Sequence, residues 1–194
     1  MDNVLLKDGE KYGGQYVATK SFKDRKVVTY GIDPSKVFHE AKDKGVKSPV
    51  VFYVPKIRYG ANILMPIKDC PFLRLCKEDI PRPILPINII NPHTGLSYAT
   101  YGIIDTGADE CAIPAGIASI LGHNLQAGST KVIGTGNGET IAFAHTTKFE
   151  RYNPVSFKLT HTIQDTPIDF MPNLRVVLLG VNSFLSKFIL NIDY

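Results

Sequence analysis

Tryptophan is absent from this sequence and cysteine is scarce. The number and spacing of the cysteines indicate their redox state. The chain has 194 residues and 3 cysteines, Cys70, Cys76 and Cys111. The count is odd, and the spacing fits neither a Cys-x-x-Cys redox pair nor a zinc knuckle. We therefore expect reduced thiols in a cytoplasmic protein.

Long hydrophobic runs are missing as well. Residues 1–8 contain no apolar core long enough for a signal peptide. No later run approaches the length of a membrane span. The sequence therefore predicts a cytoplasmic protein with no membrane partner.

The sequence also lacks a strong charge of one sign. Lys and Arg number 22 against 18 Asp and Glu, for a formal net charge of +4. The locally basic stretches, 20–26 and 36–47, are short, and the second alternates with Glu40 and Asp43. Solvated surfaces explain these stretches better than a nucleic-acid site does, so no nucleic-acid partner is expected.

Signatures of bound metals and nucleotides are absent too. The histidines have no His-x-x-x-His or similar ligand spacing. Glycines at 134–138 are spaced G-x-G-x-G, have no Lys-Ser/Thr after them and lead into β-like residues, unlike a phosphate-binding loop. No Gly-x-Ser-x-Gly occurs, and Cys111 is expected to be buried and not nucleophilic. We expect no metal and no cofactor.

Residues 1–56 are predicted to form a small α+β domain of their own. Its helix is expected to begin at Asp33-Pro34, with Asp as the N-cap and Pro in the first turn, and to end at Gly45. Strands are predicted at 15–19, 26–30 and 50–54. The order is β-β-α-β, and no residue in it indicates chemistry, so we expect an accessory or binding role.

The rest of the chain divides into a linker and a β-rich domain. Residues 57–80 lack periodicity and are predicted to be the linker, and residues 81–194 the second domain. A strand at 84–90 carries Pro86 and is expected at a sheet edge. The other predicted elements are a turn at 91–95, a strand at 96–104, a short helix at 115–121, a glycine-rich hairpin at 131–141 and strands at 155–159 and 175–179.

Asp105 follows directly on the apolar pair Ile103-Ile104, which is a costly place for a carboxylate. An ionised carboxylate at the end of a buried strand must be paired, hydrogen-bonded or partly protonated. Thr106 supplies a hydroxyl, and Gly107 lets the backbone turn with positive φ. The stretch predicts a strand that ends in a tight loop and presents one carboxylate. An ordinary Asp/Gly turn is the alternative.

Residues 103–109, Ile-Ile-Asp-Thr-Gly-Ala-Asp, resemble the active-site loop of the retropepsin-like aspartic proteases, the class that includes the retroviral enzymes. Three more features follow the order of that family. A hairpin precedes the loop, the glycine-rich hairpin stands where the family has its flap, and Leu178-Leu179-Gly180 resembles its apolar-apolar-Gly motif. Residues 181–188 resemble its closing helix and 189–194 its terminal strand. The resemblance covers about residues 82–194.

The resemblance implies a fold, a site and a partner. The fold is mainly β with short helices: a retropepsin-like closed β-barrel or sandwich behind the small α+β domain, which itself resembles an uncharacterised domain of prokaryotic proteins. Asp105 is then catalytic, with Thr106 and Gly107 supporting its loop. The residues implied in binding a peptide or protein substrate are Gly107, Asp109, Gly134, Thr135 and Gly136.

Aspartic peptide hydrolysis needs two carboxylates that share a proton. The chain has one Asp-Thr-Gly, since Asp165-Thr166 is followed by Pro167. The second carboxylate must come from another copy, which a two-fold homodimer supplies.

Two departures from the family's pattern concern Asp109 and the subunit interface. Retroviral members carry Arg where this chain has Val181, and that Arg pairs with the acid matched by Asp109. A whole domain also precedes the β-rich part, so a free N-terminal strand cannot join a dimer sheet. The alternative is a non-catalytic peptide-binding or scaffold module, because a fold alone does not license activity.

Overall fold

One mixed β-sheet organises the chain in the computed structural model, which describes residues 5–54, 72–74 and 76–188. These residues contain ten strands and the α-helix α1 (Pro34–Asp43). The strands are β1 (Gln15–Thr19), β2 (Thr29–Gly31), β3 (Val50–Val54), β4 (Ile84–Ile90), β5 (Ser97–Ile104), β6 (Cys111–Pro114), β7 (Ser129–Thr135), β8 (Gly138–Tyr152), β9 (Leu159–Met171) and β10 (Val177–Leu179). Short 3-10 turns occupy Gly9–Tyr12, Ala115–Ile117, Leu125–Ala127 and Leu185–Lys187. The prediction of a mainly β protein with short helices is confirmed.

The second half of the sheet closes on itself. Pairing runs from β5 to β4, β8, β9, β6 and β10, and β10 then pairs with β5 again. The cycle leaves no unpaired edge between its first and last strand, as in a closed barrel. β7 lies outside the cycle and pairs only with β8 among the described strands.

The first half has the predicted β-β-α-β order. β1 pairs antiparallel with both β2 and β3, and α1 begins after Asp33, whose side chain accepts hydrogen bonds from the Ser35 and Lys36 amides. Gly45 has φ +85 just after the helix, as the predicted end requires.

The sheet continues across the predicted domain boundary. β3 pairs parallel with β5 through Val50 and Ala99. Buried residues of both halves also share one core, in which Val37 and Val51 belong to the same cluster as Ile113. The boundaries at 56 and 80 stay a prediction, and most of the predicted linker lies outside the described residues.

Two local predictions about strands are wrong. β4 is not an edge strand, since it pairs with β5 along its length and with β8 from Ile87 onward. Pro86 is tolerated because β8 does not reach that part of β4. In place of the strand predicted at 155–159 there is a turn, because the Asn153 side chain accepts hydrogen bonds from the next amides and Phe157 has φ +54.

The predicted helices after the loop and after Gly180 are shorter than expected. Residues 115–121 form a 3-10 turn over Ala115–Ile117 and further turns, and residues 181–188 do the same around Leu185–Lys187. Segments this short gain little from helix propagation, so tertiary packing sets their shape. The terminal strand predicted at 189–194 lies outside the described residues.

The two faces of the sheet carry separate apolar clusters. The larger cluster lies on one face and includes Tyr98, Cys111 and Leu179. The other face carries two clusters, one around Val17, Phe52 and Tyr101 and a small one of Ala112, Ala142 and Met171. Among the described residues no helix is long and apolar enough to cross a bilayer.

Candidate functional site

The Asp105 loop is a tight turn at the end of β5. The Asp105 amide donates to the Leu179 carbonyl at 3.1 Å, which extends the pairing of β5 with β10 by one residue. One Asp105 carboxylate oxygen accepts a hydrogen bond from the Gly107 amide at 2.9 Å. The side chain is half-buried. The strand and the turn that the sequence predicts are both present, and the carboxylate is held by its own loop.

Gly107 does not have the positive φ expected of it. The glycines with positive φ lie elsewhere in the described chain. What Gly107 provides is room, because a Cβ there would lie 3.3 Å from the Asp105 carboxylate. The close approach of its backbone to Asp105, and not a left-handed turn, is the reason for glycine at this position.

Strand β10 braces the loop by lying between the two strands that enter and leave it. It pairs parallel with β5, with Leu178 opposite Ile103, and antiparallel with β6, with Leu178 opposite Ala112. Two side-by-side ladders therefore fix both ends of the loop to one strand. The apolar-apolar-Gly segment Leu178-Leu179-Gly180 therefore lies beside the Asp105 loop.

Gly180 makes the contact between β10 and the loop possible. A Cβ there would overlap the Glu110 carbonyl and lie 2.9 Å from the Ala108 carbonyl oxygen. Just beyond it, the Val181 amide donates to the Ala108 carbonyl at 2.8 Å. The backbone of residues 180–182 thus packs directly on the backbone of residues 108–110.

The first amide of β6 is hydrogen-bonded by a side chain, that of Ser183, which sequence reasoning missed. The Ser183 hydroxyl accepts the Cys111 amide at 2.6 Å, and Ser183 is 1% exposed. Cys111 is fully buried, and burial raises the pKa of its thiol to about 11. The thiol is protonated at neutral pH, which agrees with the prediction that Cys111 is not a nucleophile.

The acids of the loop are held less firmly than its backbone. Asp109 is exposed, and its main-chain carbonyl accepts a hydrogen bond from the Asn182 amide at 2.7 Å. In the described residues no hydrogen bond or ion pair reaches the Asp109 carboxylate or the Thr106 hydroxyl. Both groups are therefore open to a ligand or to a second copy of the chain.

The glycine-rich segment is a β-hairpin, as predicted. Strands β7 and β8 pair from Ser129 opposite Ala144 to Thr135 opposite Gly138. The Thr135 hydroxyl donates to the Gly138 carbonyl at 2.8 Å and accepts the Asn137 amide at 3.3 Å. Gly138 has φ +107, which is where the turn needs glycine.

The outer part of this hairpin is open to solvent. A Cβ at Gly134 or Gly136 would meet nothing within 4 Å. Val132 is 66% exposed and Ile141 is 51% exposed. In the described residues no hydrogen bond joins the hairpin residues 134–136 to the Asp105 loop, residues 105–109.

Two histidines lie together at the base of the hairpin. The rings of His123 and His145 are 4.8 Å apart between centroids, and the Nε2 atom of each is buried without a hydrogen-bond partner in the described structure. Burial, and then the neighbouring His145, lowers the pKa of His123 to about 4. The described residues contain no cluster of three or more side chains of the metal-binding types.

Comparison with known proteins shows similarity to a family model and to solved structures. A family model described as a family of unknown function (DUF5678) matches residues 9–57, which contain β1, β2, α1 and β3. No curated protein matches the chain. A crystal structure described as a retropepsin-like aspartic protease from Rickettsia conorii is 22% identical over 57% of this chain and 91% of that one, with a TM-score of 0.40. At that level the likeness decides nothing about activity, which must rest on the residues of the chain itself.

Proposed function

We propose that the chain is an aspartic peptidase of the retropepsin-like type, working as a cytoplasmic homodimer on peptide or protein substrates. Asp105 of each copy supplies one catalytic carboxylate. Thr106 and Gly107 support the loop. Gly107, Asp109 and the hairpin residues Gly134, Thr135 and Gly136 contact the substrate.

The observation that carries this proposal is the bracing of the Asp105 loop. A strand that lies between the two legs of the loop, with a glycine packed on the loop backbone, fixes a half-buried carboxylate at the end of a buried strand. An ordinary turn after a strand needs no such support. A catalytic carboxylate needs such support, because catalytic groups must be held in place before the reaction begins.

The chemistry requires two such carboxylates. When two Asp105 side chains approach each other, their mutual repulsion leaves one protonated and the other ionised. The ionised group takes a proton from the attacking water, and the protonated one donates to the carbonyl oxygen of the scissile bond. The titration then belongs to the pair, and activity follows a bell-shaped pH profile.

A second candidate is a peptide-binding module without turnover. It is favoured by Val181, whose side chain offers no charge to the exposed Asp109 carboxylate. The loop thus lacks the cation that retroviral relatives place at this position. Binding of a peptide beneath the hairpin requires the same surface but no proton transfer.

The decisive experiment replaces Asp105 by Asn. The amide keeps the shape of the carboxylate but cannot accept a proton from water or share one with its twin, so we expect cleavage of a peptide library to fall by about a thousandfold or more. Asp165→Asn is the matched control, because Asp165 is also followed by Thr, is exposed and lies away from the loop.

Both variants are compared with the parent by circular dichroism and by sedimentation at micromolar concentration. Equal cleavage by Asp105→Asn and the parent contradicts the proposal. A parent chain that is monomeric at every concentration contradicts the homodimer mechanism. A parent that binds library peptides without cleaving any between acid and neutral pH establishes the second candidate.

A further inference from the structure

The carboxylate of Asp169 is buried in β9, and its ion-pair partner comes from the hairpin. Asp169 is 4% exposed, and its Oδ2 lies 2.8 Å from the Lys131 Nζ. The Lys131 side chain is 43% exposed. Taking a carboxylate out of water is costly unless a partner compensates it, and here the compensating cation is only partly buried. An apolar residue at 169 would serve packing better, so the acid calls for another explanation.

The strand register explains how Lys131 reaches Asp169. Lys131 lies opposite Ala142 on β8, and Asp169 lies opposite Ala144 on the same strand. Side chains alternate along a strand, so all four residues lie on one face of the sheet. The two alanines between them are small, which lets the Lys131 side chain cross β8 and contact the next strand.

The same face leads from Asp169 to the Asp105 loop. Asp169 lies opposite Ala112 of β6, Ala112 opposite Leu178 of β10, and Leu178 opposite Ile103 of β5. Asp105 follows Ile103 by two residues. On this face Ala112, Ala142 and Met171 form a buried cluster, with Ile133 and Leu178 packed against it, and we call this row of small residues the trough.

The trough carries more negative than positive charge. Glu110 precedes Ala112 by two residues, just before β6 begins, and its Oε2 is buried with no hydrogen-bond partner in the described structure. Of the two acids beside β6, Asp169 is paired with the Lys131 ammonium group, and in the described structure no ion pair reaches Glu110. A further cation in the trough would complete the charge balance.

We propose that Asp169 is a specificity-determining residue that selects a basic side chain of the peptide substrate, and that Lys131 occupies its carboxylate until substrate binds. The proposal rests on the function proposed above, since it requires a peptide to lie along the face that carries Asp105. A Lys or Arg side chain laid across the alanines takes the place of Lys131, or joins it between Asp169 and Glu110. The ion pair between Lys131 of β7 and Asp169 of β9 is then broken, and the substrate holds the hairpin in its place.

The test measures binding and cleavage separately. Full-length chain carrying Asp105→Asn is titrated with fluorescent peptides that differ only by Lys or norleucine at successive positions, and the parent is profiled for cleavage of the same set. At one position we expect Lys to be preferred about tenfold, which corresponds to about 1.4 kcal/mol. Asp169→Asn abolishes the preference, Glu110→Gln weakens it, and Asp165→Asn, an exposed acid of the same strand, leaves it unchanged.

Lys131→Met provides a second and opposite readout. It removes the internal competitor and leaves the Asp169 carboxylate in place, so the preference for Lys increases. This variant keeps the proposal testable if circular dichroism shows that Asp169→Asn does not fold. A preference that Lys131→Met fails to increase contradicts the proposal.

The remaining outcomes separate this proposal from the proposed function. Cleavage without a preference for basic residues, or with one that survives in Asp169→Asn, overturns the role of Asp169 and leaves the peptidase standing. Lysine-dependent binding without cleavage, lost in Asp169→Asn, supports the role of Asp169 and overturns turnover. Neither binding nor cleavage of any peptide overturns both.

Discussion

The Asp105 loop and the tip of the β7–β8 hairpin both depend on glycine, for opposite reasons. Gly180 is required because the loop backbone leaves no room for a Cβ, whereas Gly134 and Gly136 have open space around them. The loop is fixed between two strand ladders, and the hairpin pairs on one side only. A site of this kind combines a rigid carboxylate with a cover that can move.

The largest effect expected from this comparison is that of Gly180→Ala. The added Cβ overlaps the Glu110 carbonyl, so residues 108–110 or β10 must shift, at a cost of about 3 kcal/mol in the free energy of unfolding. Gly134→Ala is the matched control. It adds the same methyl group in open space, and we expect a change within about 1 kcal/mol, measured by urea denaturation. Equal midpoints for the two variants contradict the rigid-loop description.

Amide hydrogen exchange sharpens the comparison without mutation. Amides at the tip, residues 134–138, are expected to exchange about a hundredfold faster than those of the buried strand β6, because local opening of the tip breaks few contacts. A statine-type inhibitor should protect the tip and leave β6 unchanged. Confirmed binding without protection at the tip makes it an ordinary surface hairpin.

The smallest effect expected concerns pH and the base of the hairpin. The pKa of His123 is about 4 in the folded protein and 6.5 for an ordinary histidine, so the unfolded state binds more protons between these values. Stability therefore falls as pH falls from about 6.5 to about 4. In a plot of melting temperature against pH, His123→Gln should flatten the part between these two values, with His39→Gln, an exposed histidine of α1, as the control. An unchanged slope shows that His123 does not contribute.

The base of the hairpin is packed more tightly than its tip. A Cβ at Gly128 would lie 2.6 Å from the His145 Nε2 and overlap the Ala144 carbonyl. Lys131 adds its ion pair with Asp169 a short way along β7. The hairpin is thus held at its base, while its outer part is exposed to solvent.

Most of the elements could be predicted from the sequence, because their signals are local. Asp33-Pro34 and Gly45 delimit α1, and the apolar run before Asp105 forms β5. The hairpin turn follows from its glycines. In each case a few neighbouring residues determine the backbone conformation, through capping, alternation or the freedom of glycine.

The predictions fail where contacts between distant parts of the chain determine the local structure. Pro86 predicted an edge strand, yet β8 pairs with the half of β4 that has no proline. The expected helices at 115–121 and 181–188 became turns packed on α1 and on the Asp105 loop. The sequence predicts a left-handed turn at Gly107, whereas in the structure glycine is favoured there because the Asp105 side chain lies close to its backbone.

The sequence by itself determined that a carboxylate follows a buried strand in a glycine-bounded loop, because residue types next to each other suffice for that. Only the tertiary structure decided that Leu178-Leu179-Gly180 braces the loop and that Lys131 crosses two alanines to reach Asp169. Those contacts join residues far apart in the chain. They depend on strand order and register. Both are set by the entropy cost of closing long loops and by the burial of one face of the sheet, and no local sequence pattern encodes them.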